Sequence, residues 1–150
     1  MTIYIGTDHG GFNLKERLKA VLVDEAYVVT DCGAVTIVPD DDYPDYALAV
    51  AKKVSEDPTQ RRGIVICRSG FGVDIAANKV DGIRAGLAIS PDHAYQGRHD
   101  DDINVLALAA DFVDEETAMK IVKVFLTTPF AKEEKYARRL EKVRAIEAHH

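Results

Sequence analysis

The chain has 150 residues, 19 of them Lys or Arg and 25 Asp or Glu, for a formal net charge of −6. With 47% apolar residues, ten Gly and five Pro it is neither disordered nor collagen-like, and its length suits one domain over residues 1–150 with a core that needs no staples. The acidic balance excludes a general nucleic-acid binder and, taken alone, weighs against an anionic ligand.

Residues 2–6 (TIYIG) read as a buried strand, after which Phe12, Leu14, Leu18, Val21 and Leu22 recur at helical spacing. Residues 27–33 (YVVTDCG) read as a second strand closed by Gly33, followed by a loop holding Pro39, Asp40, Asp41 and Asp42. Tyr46, Ala47, Val50, Ala51 and Val54 form another helical stripe. Residues 63–70 (GIVICRSG) form a strand that runs into a glycine turn, and 73–80 a helix. Residues 82–89 and 103–110 read as two more buried strands, with a short helix over 91–98 between them. A helical stripe runs from Glu115 to Leu126, Pro129 breaks it, and a charged amphipathic helix follows from about Ala131. Five strands separated by helices predict an α/β fold with a mostly parallel sheet. The strands lack polar alternation, which predicts that both sheet faces are covered.

Cys32 and Cys67 cannot build a disulfide framework and form no C-x-x-C, so a reducing, cytoplasmic setting is expected. The first residues carry no secretory signal, and no apolar run approaches the ~18 residues of a membrane span. His149 and His150 are given no role.

Ligands of open parallel sheets bind at the carboxyl ends of the strands. Two strand ends stand out here: Gly6-Thr7-Asp8-His9-Gly10-Gly11 and Cys67-Arg68-Ser69-Gly70-Phe71-Gly72. At the second, a strand entering S-G-F-G and then a helix gathers backbone N–H groups into a concavity that suits an oxyanion or a phosphate. A thiol there feels the positive end of the helix, so Cys67 is a candidate base or nucleophile; a buried structural cysteine is the competing reading. Asp8 beside His9 can orient and tune the imidazole, or simply cap the next helix and leave the His solvated. The runs Asp40–Asp42 and Asp100–Asp102, with His93 and His99 nearby, match no EF-hand or zinc spacing and read as solvated loops, so no metal is expected. A dinucleotide fingerprint fails because Ile75 occupies the third-glycine position.

Together these segments resemble the type B ribose-5-phosphate isomerases, the group that includes the galactose-6-phosphate isomerase subunits. GTDHGGFNLK (6–15), DDDYPDYA (40–47), NVLAL (104–108) and the TTPF…RRLEKV tail (127–143) fit the pattern, and GIVICRSGFGVDIAANKVDGIRAGLA (63–88) is its most specific segment. The resemblance implies a Rossmann-like αβα sandwich with a five-stranded parallel sheet, and a homodimer, sometimes a tetramer, with shared active sites and a C-terminal helix reaching towards the partner. It implies a metal- and cofactor-free interconversion of an aldose phosphate and its ketose phosphate, one base moving a proton between C1 and C2 through a cis-enediolate.

The resemblance also implies roles. Cys67 falls where many members carry the base; others place a Glu after the turn, where this chain has Val73. Ser69 assists the base or the enediolate, and the amides of Gly70, Phe71, Gly72, Val73 and Asp74 form the oxyanion cradle. Asp8 and Tyr43 lie near the sugar hydroxyls, His9 on the phosphate side, and Lys135 and Arg139 help hold the phosphate. Four positions depart from the pattern. Arg68 replaces a small residue in a position where a cation can reshape the pocket or bind an anion. The ring-opening His position holds Asp100, with His99 one residue earlier. The usual phosphate-binding Arg after N-V-L is Asp111, which would repel a phosphate by about 1 kcal/mol even in water. Lys135 replaces the more usual Arg and loses its bidentate geometry.

The default expectation is therefore isomerisation of ribose 5-phosphate and ribulose 5-phosphate. A tetrose phosphate or an unphosphorylated sugar is an alternative that tolerates Asp100 and Asp111, and a non-catalytic sugar-phosphate binding protein is another. From Phe130 to Arg144 there are six basic and three acidic residues, a local +3 against −9 for the remainder. An acidic chain can thus still offer a basic surface to an anion.

Overall fold

The computed structural model describes residues 1–149; His150 lies outside the described residues. Five strands, β1 (Thr2–Thr7), β2 (Val28–Asp31), β3 (Arg61–Cys67), β4 (Ala85–Leu87) and β5 (Val105–Ala109), form one sheet in the order β2-β1-β3-β5-β4. Every pairing is parallel. Among the described residues six helices accompany them: α1 (Phe12–Asp24), α2 (Tyr43–Ser55), α3 (Phe71–Ala77), α4 (Pro91–Asp101), α5 (Glu115–Thr127) and α6 (Glu134–Glu147). A one-turn 3-10 segment at His9–Gly11 precedes α1.

Successive side chains of the central strands point to opposite faces, and each face is apolar. Ile3, Ile5, Ile64, Ile66, Leu106 and Leu108 pack with α1, α4 and α5, where Leu18, Ile121 and Phe125 are fully buried. Tyr4, Val65, Cys67, Val105 and Ala107 pack with Val50 and Val54 of α2 and Val73 of α3. The three-layer αβα sandwich expected from the sequence is present. The two edge strands are shorter than their apolar runs, because an edge offers only one neighbour to pair with.

Local chemistry sets the helix starts. Ser90 Oγ accepts the His93 amide, with Pro91 at the first helical position, and Asp114 Oδ1 accepts the Thr117 amide. Helix α4 runs on to Asp101, beyond the expected end at residue 98, and closes at Asp102 with φ 49°. Helix α6 buries only Leu140 and leaves Val143 and Ile146 exposed. Strands β1 and β3 are neighbours whose crossovers leave in opposite directions, β1 to β2 and β3 to β4. Their carboxyl ends therefore flank the crevice where ligands of such sheets bind.

Candidate active site

Cys67 is the last residue of β3 and is 5% exposed. Its Sγ accepts the Gly70 amide at 3.2 Å. Gly70 has φ 77°, and a Cβ there would meet Leu87 Cδ1 at 2.5 Å, so only glycine makes this turn without strain. Asp74 donates its amide to the Gly70 carbonyl at 3.2 Å. Of the expected cradle, the Gly70 amide lies on the sulfur and the Asp74 amide on the helix. The Phe71, Gly72 and Val73 amides remain, since the first N–H groups of a helix have no intrahelical acceptor. The Val73 side chain is in the core, so only its backbone faces this turn. Burial pushes the Asp74 carboxyl up, against its bond from Asn78.

Tyr43, the first residue of α2, lays its ring against Gly72, where any Cβ would clash at 2.6 Å. Ser69 lines a cavity of about 300 Å³ with Phe71, Leu87, Ile89, Ala109 and Phe112. Phe71 and Phe112 are 63% and 74% exposed.

At the end of β1, Asp8 is buried and its Oδ1 accepts the Gly10 amide at 2.9 Å. The capping reading of Asp8 is therefore realised. Burial raises its carboxyl, and the Gly10 bond opposes this. His9 is only partly exposed: its amide and its Nδ1 both meet Asp41 Oδ1, at 2.8 and 2.7 Å. That bond is the main cause of a raised His9 pKa. The Asp41 side chain is 8% exposed, and its Oδ2 is buried without a hydrogen-bond partner. Burial alone would raise the Asp41 carboxyl, but the His9 amide and ring outweigh it and hold it low. Asp41 was expected in a solvated loop; its neighbours Asp40 and Asp42 are indeed exposed. The only sequence signal was its place two residues before Tyr43.

Asp8, His9 and Asp41 offer ligand atoms within 4.8 Å of one another, a spacing that suits a divalent cation. His9 Nδ1 and Asp8 Oδ1 are already engaged by Asp41 and Gly10, so the hydrogen bonds account for the cluster as it stands.

Arg68 joins the two strand ends. Its Cγ lies where a Gly10 side chain would be, and its guanidinium faces Asp111.

His99, Asp100, Lys135 and Arg139 form a second group, around Tyr136. His99 Nδ1 meets Asp100 Oδ1 at 2.7 Å, and this bond lowers the Asp100 carboxyl. The His99 ring stacks on Tyr95 at 5.0 Å and meets Tyr136 edge-on at 5.8 Å. Lys135 Nζ lies 4.6 Å from the Tyr136 centroid and Arg139 Cζ 5.9 Å. A bond with Tyr136 is the first cause of a raised Lys135 pKa. Among the described residues no ion pair or side-chain hydrogen bond links this group to the Cys67 group.

The sequence model of the Ribose/Galactose Isomerase family matches residues 3–143. The chain is 37% identical to ribose-5-phosphate isomerase B of Mycolicibacterium paratuberculosis over all 150 residues, 94% of that protein. It superposes on ribose-5-phosphate isomerase B of Mycoplasma genitalium, solved with bound ribulose-5-phosphate, with a TM-score of 0.96, 38% identity and coverage of 99% and 97% of the two chains. The corresponding Clostridium thermocellum structure gives 0.94, 40% identity and 99% coverage of each chain.

Proposed function

The chain belongs to the ribose/galactose isomerase family and is an isomerase; from that premise we propose that it interconverts ribose 5-phosphate and ribulose 5-phosphate with Cys67 as the base. The observation that carries this reading is the Cys67 sulfur beside an open helix start, with the Gly70 amide on it at 3.2 Å.

The Cys67 thiolate removes the proton from C2 of the open-chain aldose. The electron pair moves into a C1–C2 double bond, and the former carbonyl oxygen becomes an oxyanion held by the Phe71, Gly72 and Val73 amides. The thiol returns its proton to C1 as the O2 proton leaves and the C2 carbonyl forms. Ser69, two residues from Cys67, relays protons between the two oxygens. Asp8 and Tyr43 hold sugar hydroxyls, and His9, as an imidazolium, holds the phosphate. No step needs a metal or cofactor, so a chelator leaves turnover unchanged.

The site is shared in a homodimer. Two observations support this: the exposed Phe71 and Phe112 beside Ser69, and the His99, Asp100, Lys135 and Arg139 group standing apart on α4 and α6. A second copy brings its own such group to the Cys67 crevice, with Lys135 and Arg139 on the phosphate and the His99–Asp100 pair on ring opening. A cytoplasmic setting keeps Cys32 and Cys67 as free thiols.

Cys67→Ala is the direct test. Exchange of the C2 proton with deuterated solvent falls to background while the circular dichroism spectrum is unchanged. Retained exchange in a folded variant removes Cys67 from the role of base. A second reading, a tetrose phosphate or unphosphorylated sugar as substrate, is favoured by Asp100 at the ring-opening position. A panel of sugars with and without phosphate separates the two.

A further inference from the structure

The amino ends of β3, β4 and β5 enclose a cavity of about 670 Å³, at the opposite end of the sheet from Cys67. Arg62 and Cys67 are five residues apart on β3, about 16 Å of strand. Five basic side chains line the cavity: Arg62, Arg84, Arg98, Lys132 and Arg144. Among the described residues two acidic ones, Asp102 and Glu147, face them, so this lining carries a formal +3.

Those two acids are already engaged. Asp102 bridges Arg84 and Arg98, its Oδ2 at 2.9 Å from one and its Oδ1 at 2.8 Å from the other. Glu147 Oε1 accepts the Gly82 amide at 2.7 Å. Arg144 has an exposed contact with Glu141 at 3.4 Å. Arg62 is nine-tenths buried, and its Nη1 donates only to the carbonyls of Pro58, Thr59 and Arg61. Among the described residues no carboxylate pairs with it. Burial first, then Arg98, pulls the Arg62 pKa down; burial does the same to Arg84, with Arg144 and Arg98 adding to it against Asp102. These cations therefore repel one another in a partly desolvated space, where a charge is costly unless an opposite charge answers it.

We propose that this cavity binds a small polyanion carrying a diphosphate group, at a site distinct from the isomerase centre. Its size suits a small molecule, and arginine forks match phosphate oxygens pairwise. A diphosphate supplies three or more negative charges, equal to the excess of the lining. Free pyrophosphate and a nucleoside diphosphate share this chemistry.

The test is isothermal titration calorimetry of the intact protein with inorganic pyrophosphate and, separately, ADP, each with ribose 5-phosphate present in excess. Saturable binding of pyrophosphate is expected, at least tenfold weaker in the Lys132→Gln/Arg144→Gln double variant. Both side chains are exposed, so that variant keeps its fold and its basal isomerase turnover. Arg62→Gln weakens binding too; should it fail to fold, the double variant decides. ADP binding tighter than pyrophosphate supports the site as one for a nucleotide, and equal affinities support the diphosphate group alone as the determinant. The proposal is overturned by no saturable binding, by binding that excess ribose 5-phosphate displaces, or by equal affinity in the double variant.

Discussion

The Arg68 guanidinium lies 3.8 Å from the Asp111 carboxylate, and the Asp111 amide donates to the Arg68 carbonyl at 3.0 Å. Both residues lie just beyond the paired strand ends, where Cys67 of β3 is in register with Ala109 of β5. The resemblance implies a small residue at 68 and an arginine at 111. Here the cation stands at the end of β3, and the acid at 111 answers its charge. Both side chains are well exposed, so the pair itself contributes little to stability and leaves Arg68 able to turn to a phosphate. Arg68→Ala should raise KM for ribose 5-phosphate about tenfold, about 1.4 kcal/mol of binding, with kcat little changed. Asp111→Asn should lower KM, since it removes both a competitor for Arg68 and a repelling charge. Steady-state kinetics of the two variants check the pair of signs.

Asp41 holds the His9 ring and favours its charged form. The bond from Asp41 raises the His9 pKa, so the imidazolium persists to higher pH than an ordinary histidine, and binding that depends on it is lost as pH rises through that raised value. With Nδ1 on Asp41, Nε2–H of the protonated ring is left for the proposed phosphate contact. Asp41→Asn should shift the rise in KM to lower pH while leaving kcat at low pH close to the parent. The KM–pH profile and the His9 ring-proton titration by NMR should move together; a profile that stays in place removes Asp41 from this role.

Gly70 is fixed by geometry rather than by chemistry. Gly70→Ala adds about 1–2 kcal/mol for a left-handed backbone and about 1–3 kcal/mol for crowding against Leu87 and the Ala109 amide. Thermal unfolding should show Tm lower by about 5–10 °C. Isomerase activity should fall further than stability does, because the turn carries the Cys67 contact and the three amides.

A shared site predicts complementation. Cys67→Ala and Arg139→Ala homodimers are each impaired, one at the base and one at the phosphate. In a mixed dimer, one site collects both changes and the other collects neither. Unfolding and refolding an equal mixture should restore about a quarter of the parent activity. Activity that stays at the level of the separate variants after mixing would place the whole site in one chain.

The strands show how much of the fold was legible. Ile64, Val65 and Ile66 read as a buried run because both faces of β3 are covered, and that needs no knowledge of neighbours. The same holds for the helical stripe of α5, and for the Cys67 turn, whose residues are consecutive and whose glycine is demanded by one backbone angle. The loops were less legible. Asp41 and Asp102 lie in acidic runs that read as solvated, yet one holds His9 and the other bridges Arg84 and Arg98.

The sequence by itself determined the layered α/β fold, the isomerase family and the glycine turn after Cys67, since each rests on periodicity or on a contiguous motif. Only the tertiary structure decided what the charges do. Arg68 met Asp111, Asp41 met His9 across 32 positions, and Arg62 was left without a carboxylate among the described residues. A charge acts through distance and desolvation, and the chain sets both only when its strand ends are brought side by side.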